Sequence, residues 1–229
     1  MDERTGKIIK QQIATTRKSN YYWLLNDDID SIDLSVALGQ VSAQRAAYAL
    51  RYRQAHDQRL SLAVYLLLQQ ALRSEYGIQE APEFVFGPHG KPELKDYPDI
   101  HFNLSHCSRA ALCVVSSQPV GCDVETVPSE LDMDVCRYCF NEEETAYITA
   151  SDCPTLAFTE LWTRKEAFLK WSGQGLTPDL PSLFCTHLAN EVPFQTYCAK
   201  DLSYVYSICG NSSNQSCRHE VLGGCKHPS

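Results

Sequence analysis

Two acidic residues separated by one position lie in the segment VGCDVET at residues 120–126. On a β-strand, Asp123 and Glu125 would project from one face, because successive side chains alternate between the two faces. Neighbouring carboxylates repel each other unless a cation or a shared proton lies between them. Carboxylate oxygens suit Mg²⁺ better than zinc, and Mg²⁺ usually combines one or two protein carboxylates with substrate phosphates. The pair therefore predicts either a magnesium site for a phosphorylated substrate or a solvated strand face.

A third carboxylate and a cation lie in the segment FTELWTRKEAFLKWSGQGL at residues 158–176. Glu166 and Lys170 are four residues apart, so on a helix they project from the same side. Gly173 and Gly175 then favour a sharp end to the helix. A helix is predicted because the apolar residues of the segment recur at helical spacing and define a face for burial, namely Phe158, Leu161, Trp162 and Leu169. Taken alone, Glu166 and Lys170 are equally consistent with an ordinary surface ion pair.

Three further polar residues are candidates for contacts to phosphate groups. Lys91 lies in a segment rich in glycine and proline, residues 87–92, which is predicted to be a turn that displays the lysine. Ser105 and His106 are adjacent on a predicted strand, where they would point to opposite faces. They are therefore unsuited to form a nucleophile–base pair, and each is expected to act alone as a hydrogen-bond donor to phosphate.

The remaining pattern predicts the elements that must position these residues. A long helical region begins at Ser42, and its part from residue 59 to residue 76 is apolar on nearly all sides, so it should be a core helix that ends at Gly77. Further helices are predicted at residues 134–139 and 141–149. Short apolar runs bounded by turn residues predict strands at residues 21–25, 83–86, 100–104, 110–116, 120–126, 182–187, 193–199 and 202–209.

The composition excludes several classes of protein. Of 229 residues, 44% are hydrophobic and 21% are charged, which is typical of a globular chain with a substantial core. The net charge of −8 argues against general nucleic-acid binding. No apolar run is long enough to span a membrane, and the start MDERTGKIIKQQ lacks the apolar segment of a secretory signal, so a cytoplasmic protein is expected.

Cysteine is unusually frequent in this sequence. The eleven cysteines are irregularly spaced, and reduced thiols are the expected state in the cytoplasm. Cys136 and Cys139 form a lone CxxC, and Cys217 and Cys225 each stand two residues before a histidine. Structural zinc is disfavoured for both groups, because neither has a ligand framework of familiar spacing around it.

Four ordered segments resemble the motifs of the 4′-phosphopantetheinyl transferase superfamily, and more narrowly those of its surfactin-synthetase-activating type. They are GKPEL at 90–94, FNLSHC at 102–107, VGCDVE at 120–125 and WTRKEAFLKWSGQGL at 162–176. The last motif, WxxKEAxxKxxGxGL, is highly specific. The resemblance implies an α+β fold in which two similar α/β subdomains form a pseudodimer within one chain, so a monomer is expected.

The resemblance also implies an enzyme that transfers the 4′-phosphopantetheine group of coenzyme A to a serine of an apo carrier protein and releases adenosine 3′,5′-bisphosphate. Asp123, Glu125 and Glu166 match the family's Mg²⁺ ligands, and Glu166 is also the candidate base for the carrier serine. Lys170 matches the lysine that contacts the pyrophosphate and protonates the leaving group. The sequence departs from the family at Leu60, where threonine is frequent. The residues that match the coenzyme A site are Arg59, Lys91, Pro92, Ser105, His106 and Lys170.

Two subdomains are predicted, residues 21–118 and residues 119–210, of which the second carries the metal site. Residues 1–20 and residues 211–229 are polar and are predicted to be a flexible extension and a flexible tail. Two other function classes are a non-catalytic binder of carrier proteins or nucleotides on the same fold, and a cysteine-rich metal or redox protein. The first is disfavoured because the acidic residues and the lysine of the motifs are intact, and zinc-free protein that is active with Mg²⁺ would exclude the second.

Overall fold

Six α-helices and eight β-strands form the part of the chain that the computed structural model describes, which is residues 21–25, 29–175, 179–183 and 192–210. The helices are α1 Leu34–Gly39, α2 Ala43–Ala49, α3 Ala55–Tyr76, α4 Met133–Cys139, α5 Glu142–Ala150 and α6 Pro154–Ser172. The strands are β1 Tyr21–Leu25, β2 Phe84–Phe86, β3 Pro92–Leu94, β4 His101–Cys107, β5 Ala110–Ser116, β6 Val120–Thr126, β7 Phe194–Cys198 and β8 Tyr204–Gly210. Two 3₁₀ turns lie at Ile29–Ser31 and Leu180–Ser182.

Two antiparallel sheets of three strands organise the described residues. The first has the order β1–β5–β4, with Leu104 opposite Cys113, and the second has the order β6–β8–β7, with Asp123 opposite Ser207. Strands β2 and β3 form a separate antiparallel hairpin. The architecture is therefore a mixture of helices and small sheets, as the predicted α+β class requires.

Helix α3 covers one face of the first sheet. Its residues from Leu60 to Leu72 are largely buried, in agreement with a sequence that is apolar on nearly all sides. The helix packs against alternate residues of β5, which are Ala111, Cys113 and Val115. Gly77 ends the helix at φ 71°, a left-handed conformation that glycine adopts without steric cost.

The opposite face of β5 belongs to a second core that joins the two sheets. Leu112 and Val114 of β5 pack in one cluster with Cys122 and Val124 of β6. The same cluster contains three residues of β8, namely Tyr204, Tyr206 and Ile208. Burial of this apolar surface stabilises the contact between the two sheets and fixes β6 beside the first half of the chain.

Helix α6 lies on the second sheet with its backbone close to that of β6. A Cβ atom at Gly121 would lie 2.1 Å from the carbonyl oxygen of Ala167 and 2.3 Å from the amide nitrogen of Trp171, so no other residue fits at this position. Gly173 ends the helix at φ 68°, as the sequence predicts. The predicted apolar face is buried or partly buried in the core beneath the helix, where it consists of Phe158, Leu161, Trp162 and Leu169.

Lys165 is fully buried inside the second half of the chain. Its Nζ donates to a carboxylate oxygen of Glu144 at 2.8 Å and to the carbonyl oxygens of Cys139 and Leu180 at 2.9 Å each. The ring of Phe140 lies 4.7 Å from the same nitrogen. Each N–H of the ammonium has an acceptor, which offsets the cost of burying the charge. The lysine thereby joins α4, α5 and the Leu180–Ser182 turn to α6.

Several predicted elements are confirmed and others are wrong. The strands at residues 110–116 and 120–126 have the predicted bounds. The long helical region is interrupted, because α2 ends at Ala49 and α3 begins at Ala55. The strand predicted at residues 182–187 is wrong at Ser182, which belongs to a 3₁₀ turn, and at Leu183, which ends that turn. Residues 184–187 lie outside the described part.

Two short elements, α1 and β3, were not predicted from the sequence. Helix α1 is capped by Asp33, whose carboxylate accepts from the backbone N–H groups of Ser35 and Val36, but six residues give too little periodicity to recognise. Strand β3 begins at Pro92, the last residue of the predicted turn. The extension at residues 1–20 and the tail at residues 211–229 lie outside the described residues. Within the described residues, no helix combines the length and the apolar character needed to cross a membrane.

Replacing Lys165 should test how far its buried ion pair stabilises the second half. Lys165→Met leaves the Glu144 carboxylate and two carbonyl groups without their donor, so we expect the free energy of unfolding to fall by about 3 kcal/mol or more. Lys95→Met is the matched control, because Lys95 forms an exposed ion pair with Glu83 at 2.8 Å and should cost less than about 1 kcal/mol. Urea denaturation measures both; equal losses would contradict the assignment.

Candidate functional site

Strand β6 and helix α6 bring four of the predicted site residues together. Asp123 is 2% exposed, and Lys170 Nζ donates to its Oδ1 at 2.6 Å. Burial and then the charge of Asp123 raise the pKa of both Glu125 and Glu166, so these carboxylates lie within electrostatic range of Asp123. Asp123 and Glu125 come from one face of β6, and Glu166 and Lys170 from one side of α6, as their spacing predicts.

The hydroxyl group of Ser105 lies between Asp123 and Lys170. It donates to Asp123 Oδ1 at 2.8 Å and accepts from Lys170 Nζ at 3.0 Å and from the backbone N–H of Val124 at 3.3 Å. A serine hydroxyl has one donor and two acceptor positions, so these contacts use its full capacity. Ser105 is buried while the adjacent His106 is exposed, as alternation along a strand predicts.

Side chains of β4 bind the edge strand β6 beside the site. Asn103 Oδ1 accepts from the backbone N–H of Cys122 at 2.8 Å, and Ser105 accepts from that of Val124. Strand β6 lies at the edge of its own sheet, so N–H groups on its outer side have no strand partner there. Asn103 is not among the predicted site residues. Its position two residues before Ser105 nevertheless places both side chains on one face of β4.

The electrostatics of the site favour a further cation. Burial raises the pKa of Glu125 to about 7, with Asp123 acting in the same direction, while Lys170 and a hydrogen bond from Trp162 act against the shift. Burial lowers the pKa of Lys170, but the charge of Asp123 and the hydrogen bond to it outweigh this effect and the net shift is upward. Lys170 is therefore cationic at neutral pH. The single positive charge of Lys170 does not balance the negative charge that Asp123, Glu125 and Glu166 carry when all three are ionised.

The donor atoms fit a hard divalent cation such as Mg²⁺. Asp123 Oδ2 is buried, and no group in the described part of the chain donates a hydrogen bond to it. Glu125 and Glu166 supply further carboxylate oxygens, the ligand type that Mg²⁺ prefers. As the side chains stand, no three Asp, Glu, His or Cys residues within the described ranges are arranged as a metal-binding group. Asp123 with one glutamate nevertheless suffices, because Mg²⁺ usually completes its coordination with water and substrate phosphates.

The ammonium group of Lys91 points into the protein. It donates to the carbonyl oxygens of Lys170 at 2.6 Å, of Trp171 at 3.2 Å and of Val120 at 3.3 Å, and burial lowers the pKa of Lys91. The prediction that the turn displays this lysine is therefore wrong. The apolar stem of the side chain passes inward because the end of α6 supplies carbonyl acceptors there. Pro92 begins β3 and is partly buried.

The two other residues predicted to contact coenzyme A lie in the first half of the chain. Arg59 Nε donates to the carbonyl oxygen of Ile32 at 2.9 Å, which holds the guanidinium beside the segment that follows the Ile29–Ser31 turn. His106 keeps an exposed surface, but partial loss of hydration, the Lys170 ammonium and, more weakly, Arg45 lower its pKa below the usual 6.5, while Asp57 acts in the opposite direction. The His106 ring is thus mostly neutral at neutral pH and lies within electrostatic range of Lys170.

Arg45 has partners that the sequence did not reveal. Its guanidinium donates to the carbonyl oxygen of Ser61 and, at 3.0 Å, to the Ser61 hydroxyl. It also lies over the rings of Tyr48 and Tyr65, at 4.8 and 5.1 Å from their centroids. Ser61 directly follows Leu60, the position at which the family often has threonine. The hydroxyl group that binds Arg45 to α3 therefore comes from Ser61, one residue after the position of the family's threonine.

The cysteines of the described residues are free thiols, and most of them are buried. They are Cys107, Cys113, Cys122, Cys136, Cys139, Cys153, Cys198 and Cys209. Burial raises the pKa of Cys122 and of Cys209 to about 12 each, and such thiols are poor nucleophiles and poor metal ligands. Both cysteines of the CxxC are buried in α4. The two cysteine–histidine pairs near the C-terminus lie outside the described residues.

Comparison with known proteins decides the family. The sequence profile of the 4′-phosphopantetheinyl transferase superfamily matches residues 119–219. A protein of Bacillus subtilis named 4′-phosphopantetheinyl transferase is 30% identical over 187 residues, which are 75% of this chain and 83% of that relative. The chain belongs to the 4′-phosphopantetheinyl transferase superfamily.

Two further relatives agree with this membership. The 4′-phosphopantetheinyl transferase Sfp of Bacillus subtilis strain 168 is 30% identical over 62% of this chain, and the 4′-phosphopantetheinyl transferase gsp of Aneurinibacillus migulanus is 33% identical over 66%. The chain spans 64% and 63% of the length of these two relatives. The surfactin-synthetase-activating type that the motifs indicated is thereby confirmed, and the chain is an enzyme of the transferase class.

The raised pKa of Glu125 should make the stability of the metal-free protein depend on pH. Between the ordinary value of 4.5 and about 7, the folded protein holds a proton that the unfolded chain has released, so this stabilisation is present at low pH and is lost as the pH rises through about 7. Relative to Glu125→Gln, the wild type should lose free energy of unfolding across this range and then level off. Urea denaturation in EDTA from about pH 5 to about pH 8 measures the difference.

The exposed Glu130→Gln is the control for this experiment, because its carboxylate lies outside the cluster. Wild type and Glu130→Gln should give parallel curves. Parallel curves for wild type and Glu125→Gln would show that Glu125 titrates as an ordinary surface carboxylate.

Proposed function

We propose that this enzyme transfers the 4′-phosphopantetheine group of coenzyme A to a serine hydroxyl of an apo carrier protein. One observation carries the proposal. The buried Asp123 has one oxygen that accepts a hydrogen bond from the Lys170 ammonium and a second that accepts none from the described residues, with Glu125 and Glu166 beside it. This arrangement would suit a cation together with a pyrophosphate, and a pyrophosphate is the reacting group of coenzyme A. Membership of the family supports the reaction type.

The proposed reaction is a substitution at phosphorus. The serine oxygen forms a bond to the β-phosphorus of coenzyme A, and the bond from that phosphorus to the bridging oxygen breaks, which releases adenosine 3′,5′-bisphosphate. Glu166 accepts the serine proton, directly or through water, and its raised pKa makes its carboxylate a stronger base. Lys170, which is protonated at neutral pH, contacts the pyrophosphate and donates a proton to the leaving oxygen.

Asp123, Glu125 and Glu166 are the residues that would hold Mg²⁺. When bound, Mg²⁺ supplies an electrostatic partner for the negative charge that develops on the leaving bisphosphate. Ser105 keeps Asp123 in place through its hydrogen bond of 2.8 Å to Oδ1. Asp123 Oδ2 is buried and accepts no hydrogen bond from the described residues. A bound cation would supply the partner that this oxygen lacks.

The coenzyme A site is proposed on the side of α6 where first-half residues meet Lys170. His106, being mostly neutral and exposed, can donate one hydrogen bond to a phosphate oxygen. Ser105 contributes by orienting the Lys170 ammonium, because its own hydroxyl group already makes its full set of hydrogen bonds. The residues proposed for this site on the motif match are Arg59, Pro92, Ser105, His106 and Lys170; Lys91 matches the same motif, but backbone carbonyl oxygens occupy its ammonium group.

We further propose that residues 21–118 and residues 119–210 are the two subdomains of a pseudodimer. Each contains a three-stranded antiparallel sheet that packs against one long helix, α3 or α6, which supports a common origin. A monomer would be active, because one chain supplies both Ser105 from the first half and Asp123 from the second. A cytoplasmic location agrees with the free thiols.

Incubation with coenzyme A, Mg²⁺ and a panel of apo carrier proteins should convert at least one carrier to a form heavier by one phosphopantetheine group. Mass spectrometry of the carrier reads this directly. Asp123→Asn and Glu166→Gln should each slow the conversion by at least about a hundredfold, and EDTA should stop it. Asp152→Asn, at an exposed position between α5 and α6, is the control. Wild-type rates in Asp123→Asn would disprove the proposed site.

Lys170→Ala should slow chemistry more than it weakens coenzyme A binding. Lys170 is proposed to stabilise and protonate the leaving group, so its loss should lower kcat by about a hundredfold or more while the Kd of coenzyme A changes less. Single-turnover kinetics and calorimetric titration measure the two quantities separately. An unchanged kcat would remove the role proposed for this lysine.

A further inference from the structure

The end of α6 is held by a side chain from the other half of the chain. The last carbonyl groups of any helix lack partners within the helix, and a cation at this end is also favoured by the helix dipole. In this enzyme the cation is Lys91, which lies just before β3 and donates to the carbonyl oxygens of Lys170 and Trp171. Its third contact is the carbonyl oxygen of Val120, the first residue of β6.

These three contacts leave the ammonium group no spare donor. A lysine ammonium has three N–H groups and no acceptor, and three backbone carbonyls from two elements converge on it. A phosphate oxygen would have to displace one of them. The lysine stem also passes close to Gly173, since a Cβ atom at that glycine would lie 3.5 Å from Lys91 Cδ. The end of α6 is therefore shaped around this side chain.

We propose that Lys91 is a positioning residue for the transfer reaction, and not a ligand of the coenzyme A phosphates. Its ammonium clamps the last turn of α6 to the start of β6. One of the clamped carbonyl groups belongs to Lys170, whose side chain must meet Asp123 on β6 at 2.6 Å. The clamp thus fixes the two backbones that carry this pair, and the inference rests on the proposed function for its catalytic consequence.

Hydrogen–deuterium exchange tests the clamp independently of any activity. In Lys91→Met the last turn of α6 loses its cap, so amide exchange in the peptide that covers residues 167–175 should speed up by about tenfold or more. Lys95→Met is the matched control, because Lys95 lies at the other end of β3 and pairs with Glu83 on the surface. Exchange that stays unchanged in Lys91→Met would overturn the clamp.

Kinetics test the positioning role. Lys91→Met should lower kcat by about tenfold to a hundredfold, since small misplacements of a catalytic group are costly, while the Kd of coenzyme A stays within about twofold. Combining Lys91→Met with Lys170→Ala should lower kcat little beyond Lys170→Ala alone, because both changes remove the same contribution. A Kd raised by about tenfold with kcat unchanged would identify a phosphate ligand and overturn the proposal.

Lys91→Arg keeps the test decisive if Lys91→Met does not fold. A planar guanidinium cannot direct three donors from one nitrogen to three converging carbonyls, but it binds phosphate at least as well as an ammonium does. The proposal expects Lys91→Arg to lose turnover and to retain coenzyme A binding; full turnover would overturn it. If wild-type enzyme modifies no carrier while exchange still speeds up in Lys91→Met, the clamp stands and the proposed function fails.

Discussion

The site depends on the close approach of two backbones, those of α6 and β6. Gly121 makes this approach feasible, because a Cβ atom there would lie 2.1 Å from the carbonyl oxygen of Ala167. Only with the helix this near the strand can a lysine side chain from α6 reach a carboxylate on β6 at 2.6 Å. A helix displaced outward by a single methyl group would lengthen the contact between Lys170 and the buried Asp123 and so weaken their electrostatic interaction.

Without a bound cation, the carboxylates of the site are unfavourable in their ionised form. Burial and mutual repulsion raise the pKa of Glu125 to about 7 and raise that of Glu166, so the folded chain without a cation is less stable at neutral pH than a neutral cluster would be. Lys170 offsets part of this cost at Asp123. Such local instability is common at sites built to bind charged groups, since the ligand then completes the balance.

The first half of the chain acts as the support of a site whose acidic residues all lie in the second half. Asn103 and Ser105 of β4 bind the outer N–H groups of β6, and Lys91 binds the end of α6. The shared core between the sheets adds apolar burial to these polar contacts. Both halves are therefore needed to keep Asp123 and Lys170 at hydrogen-bond distance.

The sequence by itself determined the strands 110–116 and 120–126, the apolar face of α6, and the pairs Asp123/Glu125 and Glu166/Lys170, because these follow from local periodicity. Only the tertiary structure decided the partners of the polar residues. Lys91 was expected on an exposed turn, yet its ammonium lies among backbone carbonyl groups about 30 to 80 residues away in sequence. Asn103 likewise gained its role from a distant N–H group. Contacts of this kind depend on which backbone groups remain without partners after the sheets pack, and a local sequence pattern does not predict which groups these are.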